Sequence, residues 1–177
     1  VARYEAENKG HFGIASKYYC HFTSPIRRYP DLFIHRIISK YLEENYQLKE
    51  NEIEKYSSQA VKYAERSSER EKIAQKVERD ADAIKKAEYM QSKIGEEYEG
   101  IISSITSFGM FVELPNTVEG LIRFDDLGNE YFIYDEEKKT LQGEKSKKIY
   151  KIGDSIKVRV IFADKLTRKV DFEKISG

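Results

Sequence analysis

The stretch GEEYEGIISSITSFGMFVELPNTVEGLIRF, residues 95–124, contains three short apolar runs separated by glycines, Pro115 and Asn116. Runs of this length, bounded by turn-forming residues, are typical of strands joined by short turns. Three further strand-like runs follow, YFIYD, DSIKVRVIF and KVDFE. The stretch from residue 125 to 150 is long for a connection, so we expect it to carry its own hairpin around EEKK. Roughly five main strands in residues 95–177 predict a small antiparallel barrel.

Residues 1–94 have a different pattern, rich in helix signals. One helix is expected to begin near Pro30, and a second near Asn51, which forms a capping-box pattern with Glu54. The second helix continues without proline or glycine until Gly95. So long a helix with a weak apolar stripe needs a large surface to pack against. The chain is therefore predicted to be an α+β protein, with a largely helical first part followed by the barrel.

The charged residues are balanced in number but not in distribution. The chain carries 31 basic and 31 acidic side chains. Residues 96–137 contain eleven acids and the single base Arg123, whereas residues 138–174 contain twelve bases and five acids. This asymmetry indicates a polarised surface whose basic side could bind a polyanion. Apolar residues make up 40% of the chain, enough to form a core, so disorder is not expected.

The cysteine and histidine content favours a reducing compartment and no zinc site. Cys20 is the single cysteine, which excludes an internal disulfide, and we expect the protein in the cytoplasm. Cys20 and the histidines His11, His21 and His35 lack the spacing of metal ligands, so we expect a buried structural cysteine and hydrogen-bonded histidines. No apolar run approaches the roughly eighteen residues that a membrane-spanning helix needs. The chain begins without methionine, and we expect it to be a piece of a longer protein.

A second informative stretch is CHFTSPIRRYPDLFIHRI, residues 20–37, which places Arg27 and Arg28 just before the first predicted helix. Pro25 fixes its own backbone and restricts the residue before it to extended conformations. Two arginines at such a corner are most simply solvated surface charges, paired with Asp31. A guanidinium held stiffly is also suited to gripping a phosphate through its planar fork of donors.

The wider region favours the second interpretation. Residues 4–36, YEAENKGHFGIASKYYCHFTSPIRRYPDLFIHR, resemble the signature of the ribonuclease II superfamily, the processive 3′→5′ exoribonucleases. Residues 67–80, SSEREKIAQKVERD, resemble a helical segment of the same superfamily, although their spacing alone also fits a solvated helix face. The resemblance implies two catalytic residues for phosphodiester hydrolysis. Arg27 would contact the scissile phosphate, and Glu78 would lie near the terminal nucleotide.

The same resemblance implies a magnesium-dependent parent enzyme, whose metal is held by aspartates upstream of the matched region. The aspartates of residues 1–94 are Asp31, Asp80 and Asp82, which do not form a cluster of that type. We therefore expect no metal site in this fragment. It would lack the N-terminal part of its own catalytic domain and be inactive alone.

The barrel region carries its own candidate site, in SFGMFVEL. Phe108 and Phe111 flank Gly109, and a bulge at this glycine would turn both rings to one face. Two rings on one face form a stacking platform for unpaired bases. The simpler alternative is that both phenylalanines belong to the core.

With KIGDSIKVRV and ADKLTRKVDFE, residues 95–175 resemble an S1-type RNA-binding domain, which has the oligonucleotide-binding (OB) fold. The insertion YFIYDEEKKTLQGEKSKKIYKIGD, residues 131–154, resembles one in the bacterial ribonuclease R branch of the superfamily. The resemblance implies an RNA-binding set made of Phe108, Gly109, Phe111 and Arg123 on the barrel face, with Arg159, Arg168 and Lys169 at the phosphates.

These resemblances predict a C-terminal fragment of a 3′→5′ exoribonuclease that hydrolyses RNA to nucleoside 5′-monophosphates. Residues 1–94 would be the end of the RNB catalytic domain. Residues 95–177 would be an S1 domain that binds single-stranded RNA, and no membrane partner is expected. The alternative is a non-catalytic RNA-binding or translation-associated protein whose first half is scaffolding. A helical adaptor with an attached barrel is a third possibility.

Overall fold

The computed structural model describes residues 3–175, which form two α-helices and eight strands. In chain order these are α1 (Tyr29–Glu43), α2 (Glu50–Gln91), β1 (Glu97–Thr106), β2 (Gly109–Glu113), β3 (Glu119–Arg123), β4 (Phe132–Asp135), β5 (Thr140–Gly143), β6 (Ile149–Lys151), β7 (Ser155–Asp164) and β8 (Lys169–Lys174). The chain divides into two compact units, residues 1–77 and 78–177. The predicted domain boundary between residues 94 and 95 stays a prediction.

The first unit has a small aromatic core around Phe33, which is 7% exposed. α1 carries Pro30 in its first turn, where the missing N–H of proline leaves no hydrogen bond unmade. The ring of Phe33 meets those of Tyr56 and Tyr63 edge-on, with centroids 6.2 and 5.0 Å apart. Tyr29 also contacts Tyr63 edge-on, at 4.9 Å. These contacts join α1 to the first half of α2.

The second helix is a single element of 42 residues, as the sequence predicts, but it starts slightly earlier. It begins at Glu50, and the Oε2 atom of Glu52 accepts a hydrogen bond from the N–H of Lys49 at 3.1 Å. The predicted capping box of Asn51 and Glu54 is therefore wrong, because both residues already lie inside the helix. None of the helices in residues 3–175 combines the length and apolarity that a membrane crossing requires.

The second unit is built on a closed five-stranded barrel in the order β1-β2-β3-β8-β7. Neighbouring strands are antiparallel except β3 and β8, which pair in parallel through Leu121 and Asp171. The prediction of an α+β chain with a five-stranded OB-type barrel is confirmed, with the correction that this one seam is parallel. Closure of the barrel gives each strand a neighbour on both sides.

The long connection between β3 and β7 folds into its own antiparallel sheet, in the order β4-β5-β6. β4 and β5 form the expected hairpin, with its turn at residues 136–139. Phe132, Leu141 and Tyr150 are buried on one side of this sheet and join the hydrophobic cluster of the barrel. The alternate residues of the three strands are exposed or half-buried.

The barrel interior is filled by apolar side chains from all five of its strands. The most deeply buried ones include Ile102, Met110, Val112, Ile122, Val158, Val160 and Phe172. Ala87 and Met90, on the last turns of α2, are fully buried in the same cluster. Gly120 of β3 leaves room for the Phe172 ring, since a Cβ there would lie 2.4 Å from it.

Candidate nucleic-acid interface

Two aromatic side chains meet at the hairpin between β1 and β2. Phe108 lies in the turn and Phe111 in β2. Their rings contact edge-to-face, with centroids 6.2 Å apart and ring planes at 89°. Phe108 is 56% exposed and Phe111 is half-buried. The two rings thus share one surface, and the alternative of two core phenylalanines does not hold.

The predicted cause of this pairing, a bulge at Gly109, is wrong. The hairpin end of β1 and β2 pairs in regular register, and the irregularity lies between Ile102 and Ser104. Phe108 shares a surface with Phe111 because it has left the strand for the turn. The alternation of faces along a strand no longer applies there.

Gly109 instead allows β2 to approach β3 closely. A Cβ built at Gly109 would lie 2.4 Å from the carbonyl oxygen of Ile122 and 2.9 Å from Cδ1 of Leu121. The hydroxyl of Thr106 donates a hydrogen bond to the carbonyl oxygen of Gly109 at 2.8 Å and closes the turn. Glycine at this position therefore fixes the backbone from which both rings project.

The aromatic pair lines a groove of about 490 Å³ in the second unit. The walls come from β2, β3, β8, the β1–β2 and β7–β8 turns, and residues 82–86 of α2. Its charged lining residues are Asp82, Lys86, Glu119, Arg123, Arg168, Lys169 and Asp171. A groove that combines aromatic faces with basic side chains is the arrangement that single-stranded nucleic acids occupy in other proteins.

Three of the four bases in the groove are paired with a carboxylate. The pairs, with their N–O distances, are Arg123–Asp171 (3.3 Å), Arg168–Asp80 (2.6 Å) and Lys86–Asp82 (3.0 Å). Lys169 forms no ion pair with any residue in the described range 3–175. In the Arg168–Asp80 pair both side chains are more than 40% exposed, and ion pairs between exposed groups contribute little free energy, so a phosphate could replace Asp80 at a small cost. Asp171 is only 13% exposed, so separating it from Arg123 costs more.

Arg159, predicted at the phosphates, does not line the groove. It lies on β7, and its guanidinium donates hydrogen bonds to Glu97 of β1 at 2.7 Å and to Glu173 of β8 at 2.9 Å. Hydrogen bonds with these two carboxylates raise the pKa of Arg159 above its usual value. The side chain thus joins three neighbouring strands of the barrel, and its contact with RNA stays a prediction.

The contribution of α2 to the groove was missed by the sequence analysis. Asp82, Ala83 and Lys86 line the groove, and Asp80 holds Arg168. The available signal was the four-residue spacing of Asp82 and Lys86, which predicts an ion pair on one helix face. The four-residue spacing does not show that this side of α2 lies next to the groove.

The two arginines of the first unit have different environments. The backbone N–H groups of Arg27 and Arg28 both donate to the carbonyl oxygen of Ser24, at 3.3 and 3.0 Å, so the turn is tight. Nη2 of Arg28 lies 2.8 Å from Oδ2 of Asp31, which is fully buried. Arg27 is exposed, and its guanidinium forms no ion pair within residues 3–175. The expected pairing with Asp31 therefore holds for Arg28 alone, and the catalytic role of Arg27 stays a prediction.

Asp31 fixes this turn to the start of α1. Its Oδ2 atom accepts hydrogen bonds from the N–H of Ser24 at 2.8 Å and from Nε of Arg28 at 3.2 Å. Burial opposes ionisation of the carboxyl, but the hydrogen bonds from Ser24 and Arg28 outweigh it and hold the pKa of Asp31 below its usual value. Oδ1 is buried without a hydrogen-bond partner among the described residues.

Glu78 and the histidines complete the predicted set. Glu78 is exposed on α2 at the start of the second unit, and its catalytic role stays a prediction. Nδ1 of His21 lies 3.2 Å from the hydroxyl of Tyr4, and Nε2 of His35 lies 2.9 Å from the carbonyl oxygen of Phe22, whose ring it stacks on at 4.1 Å. Cys20 is exposed, so the prediction that it is buried is wrong. Within residues 3–175, no group of three or more His, Cys, Asp or Glu side chains could hold a metal ion. The described residues therefore do not fit a magnesium site.

Comparison with known proteins identifies both parts of the sequence. A family model of the RNB domain matches residues 1–44, and one of the S1 RNA binding domain matches residues 91–175. Ribonuclease R 1 of Lactococcus lactis subsp. lactis is 49% identical over 172 residues, which are 97% of this chain and 21% of that protein. The chain is therefore similar in sequence to one part of a ribonuclease R, an RNB segment followed by an S1 segment.

Solved structures of the ribonuclease R family match the chain as well. The apo form of Mycoplasma genitalium RNase R has a TM-score of 0.90 at 35% identity, covering 99% of this chain and 27% of that one. The complex of that protein with ribose methylated single-stranded RNA has a TM-score of 0.89 at 34% identity, covering 98% and 27%. This chain thus spans about a fifth to a quarter of the length of the ribonuclease R proteins that it matches. The predicted resemblance to part of a longer ribonuclease is confirmed.

Proposed function

We propose that this chain binds single-stranded RNA in the groove of its second unit, as part of a 3′→5′ exoribonuclease that releases nucleoside 5′-monophosphates. The observation that carries the proposal is the edge-to-face pair of Phe108 and Phe111, which lines a groove together with Arg123, Arg168 and Lys169. The relatives named ribonuclease R, one of them solved with ribose methylated single-stranded RNA, support this substrate class.

The preference for single strands follows from the chemistry of the aromatic pair. A ring can stack on a base only when the face of that base is free, which is the case in unpaired RNA. Stacking and phosphate contacts do not read the base edges, so little sequence preference is expected. A surface of this kind suits an enzyme that digests many different transcripts.

Arg27 and Glu78 are the residues of this chain to which we assign catalytic roles in the longer protein. The exposed guanidinium of Arg27 is presented from a turn fixed by Arg28 and Asp31, and it would stabilise negative charge on the scissile phosphate. Glu78 would act near the terminal nucleotide. Magnesium would be held by aspartates of the longer protein. The single cysteine supports a cytoplasmic location.

The test of the proposal is the substitution Phe111→Ala, with binding of a fluorescent single-stranded oligo-RNA measured by titration. Loss of one stacking ring is expected to cost about 1–3 kcal/mol, which corresponds to roughly 5- to 150-fold weaker binding. Phe162→Ala is the matched control, because Phe162 is an exposed ring of β7 outside the groove. Unchanged affinity of the Phe111 variant, or an equal loss in the control, would remove the groove from the RNA site.

A further inference from the structure

The groove carries only a small excess of positive charge for a site that binds a polyanion. Its lining holds four bases and three acids, and three of the bases are already paired with carboxylates. Sites for single-stranded nucleic acids combine stacking with a positive surface that follows the backbone. The sequence places its basic excess elsewhere, and residues 138–151 of the inserted sheet contain six lysines and one acid. These lysines have no role in the groove.

Three of these lysines lie in the loop that joins β5 to β6. We call residues 144–148, EKSKK, the lysine loop. Lys145, Lys147 and Lys148 are all exposed. No carboxylate among residues 3–175 lies within ion-pair distance of their ammonium groups. Their charge is therefore available to a partner, in contrast to the paired bases of the groove.

The backbone of the lysine loop is held in one conformation. Oε2 of Glu130 accepts hydrogen bonds from the N–H groups of Lys145 at 2.8 Å and Ser146 at 2.9 Å. Gly143 makes room for this carboxylate, since a Cβ there would lie 2.6 Å from Oε1 of Glu130. Hydrogen bonds from the side chain and backbone of Ser146 hold the pKa of Glu130 below its usual value, so the anchor stays charged at neutral pH. Such a loop loses little entropy when a ligand binds.

A fourth lysine extends this surface towards the barrel. Nζ of Lys148 and Nζ of Lys174 lie 5.2 and 5.6 Å from the centre of the same ring, that of Tyr150. Lys174 ends β8, and Lys169 at the other end of β8 lines the groove. Five residues of a strand span about 16 Å. The groove and the lysine loop therefore lie near opposite ends of β8, and the alternation of side chains along the strand turns Lys169 and Lys174 to different faces.

We propose that the lysine loop, together with Lys174, is a second RNA contact that binds the phosphate backbone of nucleotides beyond the groove. This inference rests on the proposed function, since it assumes that the groove takes single-stranded RNA. OB-fold sites accommodate about 4–16 nucleotides, so an RNA of about 20 nucleotides extends beyond the groove. The loop adds three unpaired positive charges to the single unpaired lysine of the groove, and the groove supplies the stacking rings.

The test is the triple substitution K145Q/K147Q/K148Q in the whole chain, which removes three charges and keeps a polar, unbranched aliphatic stem at each position. Binding of oligouridylate of about 5 and about 20 nucleotides is measured between low and moderate salt. Each lost phosphate contact lowers the slope of log K against log [salt] by about 0.7 for single strands. For the longer RNA, the slope should therefore fall in magnitude by about 2, whereas the slope for the shorter RNA should change little.

The matched control is K55Q/K62Q/K72Q, the same change of charge at three exposed lysines of α2 in the first unit, which should leave both slopes unchanged. Phe111→Ala distinguishes the two proposals, because it should weaken the binding of both RNAs without changing the slope of log K against log [salt]. If Phe111→Ala has no effect while the loop variant lowers the slope, the groove is excluded as the RNA site, and with it the placement of the loop beyond the groove, although the lysines still contact RNA. If the loop variant keeps the wild-type slope with the longer RNA, the lysine loop serves another partner and this inference is overturned.

Discussion

Replacing Gly109 by alanine tests whether the close contact of β2 with β3 sets the shape of the groove. The new Cβ would lie 2.4 Å from the carbonyl oxygen of Ile122, about 0.6 Å inside the 3.0 Å limit that Cβ contacts respect. The obstacle is backbone within the paired register of the two strands, so it cannot rotate away. Overpacking of this kind costs about 1–3 kcal/mol. For a unit of this size, the melting temperature should fall by roughly 5–20 °C.

The effect on binding should accompany the effect on stability. Parting β2 from β3 displaces the backbone that carries Phe111, so RNA affinity should fall even well below the melting temperature. Thermal unfolding by circular dichroism and RNA titration at low temperature measure the two effects separately. Gly13→Ala is the control, because a Cβ there meets nothing closer than the His11 ring at 3.4 Å. A Gly109 variant that melts and binds like the wild type would refute the close-contact argument.

Two further predictions concern the first unit and the chemistry of the whole chain. At neutral pH, Arg28→Ala should lower the melting temperature more than Arg27→Ala, because Arg28 alone neutralises the buried Asp31. The depressed pKa of Asp31 means that its stabilisation is present above the ordinary carboxyl range and lost as pH falls through the folded-state pKa. The melting temperatures of the two variants should therefore become similar at low pH. Equal melting temperatures at neutral pH would contradict the prediction. With magnesium added, the chain alone should release no labelled mononucleotide from RNA, since residues 3–175 offer no carboxylate cluster for a metal; measurable release would be the contrary result.

The sequence predicted those parts of the fold that depend on local signals. The barrel strands could be located because their apolar runs are short and end at residues such as Pro115 and Asn116, which favour turns. α2 could be recognised because its length contains neither proline nor glycine. The hairpin around residues 136–139 followed from a connection too long to lack structure. In each case neighbouring residues alone carry the information.

The remaining features depend on contacts between residues distant in sequence. The parallel pairing of β3 with β8, through Leu121 and Asp171, closes the barrel, and the sequence of neither strand alone predicts it. Arg159 was assigned to RNA from the resemblance to S1 domains, and that resemblance did not predict its ion pairs with Glu97 and Glu173, which come from two other strands. The helical pattern of α2 likewise did not predict that Lys86 lines the groove. Register and packing decide these features, and both are fixed only in the folded barrel.

The internal ion pairs of the groove would, under the proposed function, limit how tightly an RNA strand is bound. Under the proposed function, Arg123 and Arg168 must release Asp171 and Asp80 before they can grip a phosphate. The freed carboxylates remain beside the polymer and repel it. Binding of each phosphate would then be an exchange of one anion for another, with a small net gain in free energy. Because the free energy of the bound strand would change little from one nucleotide position to the next, the strand could move through the groove by one nucleotide at a time.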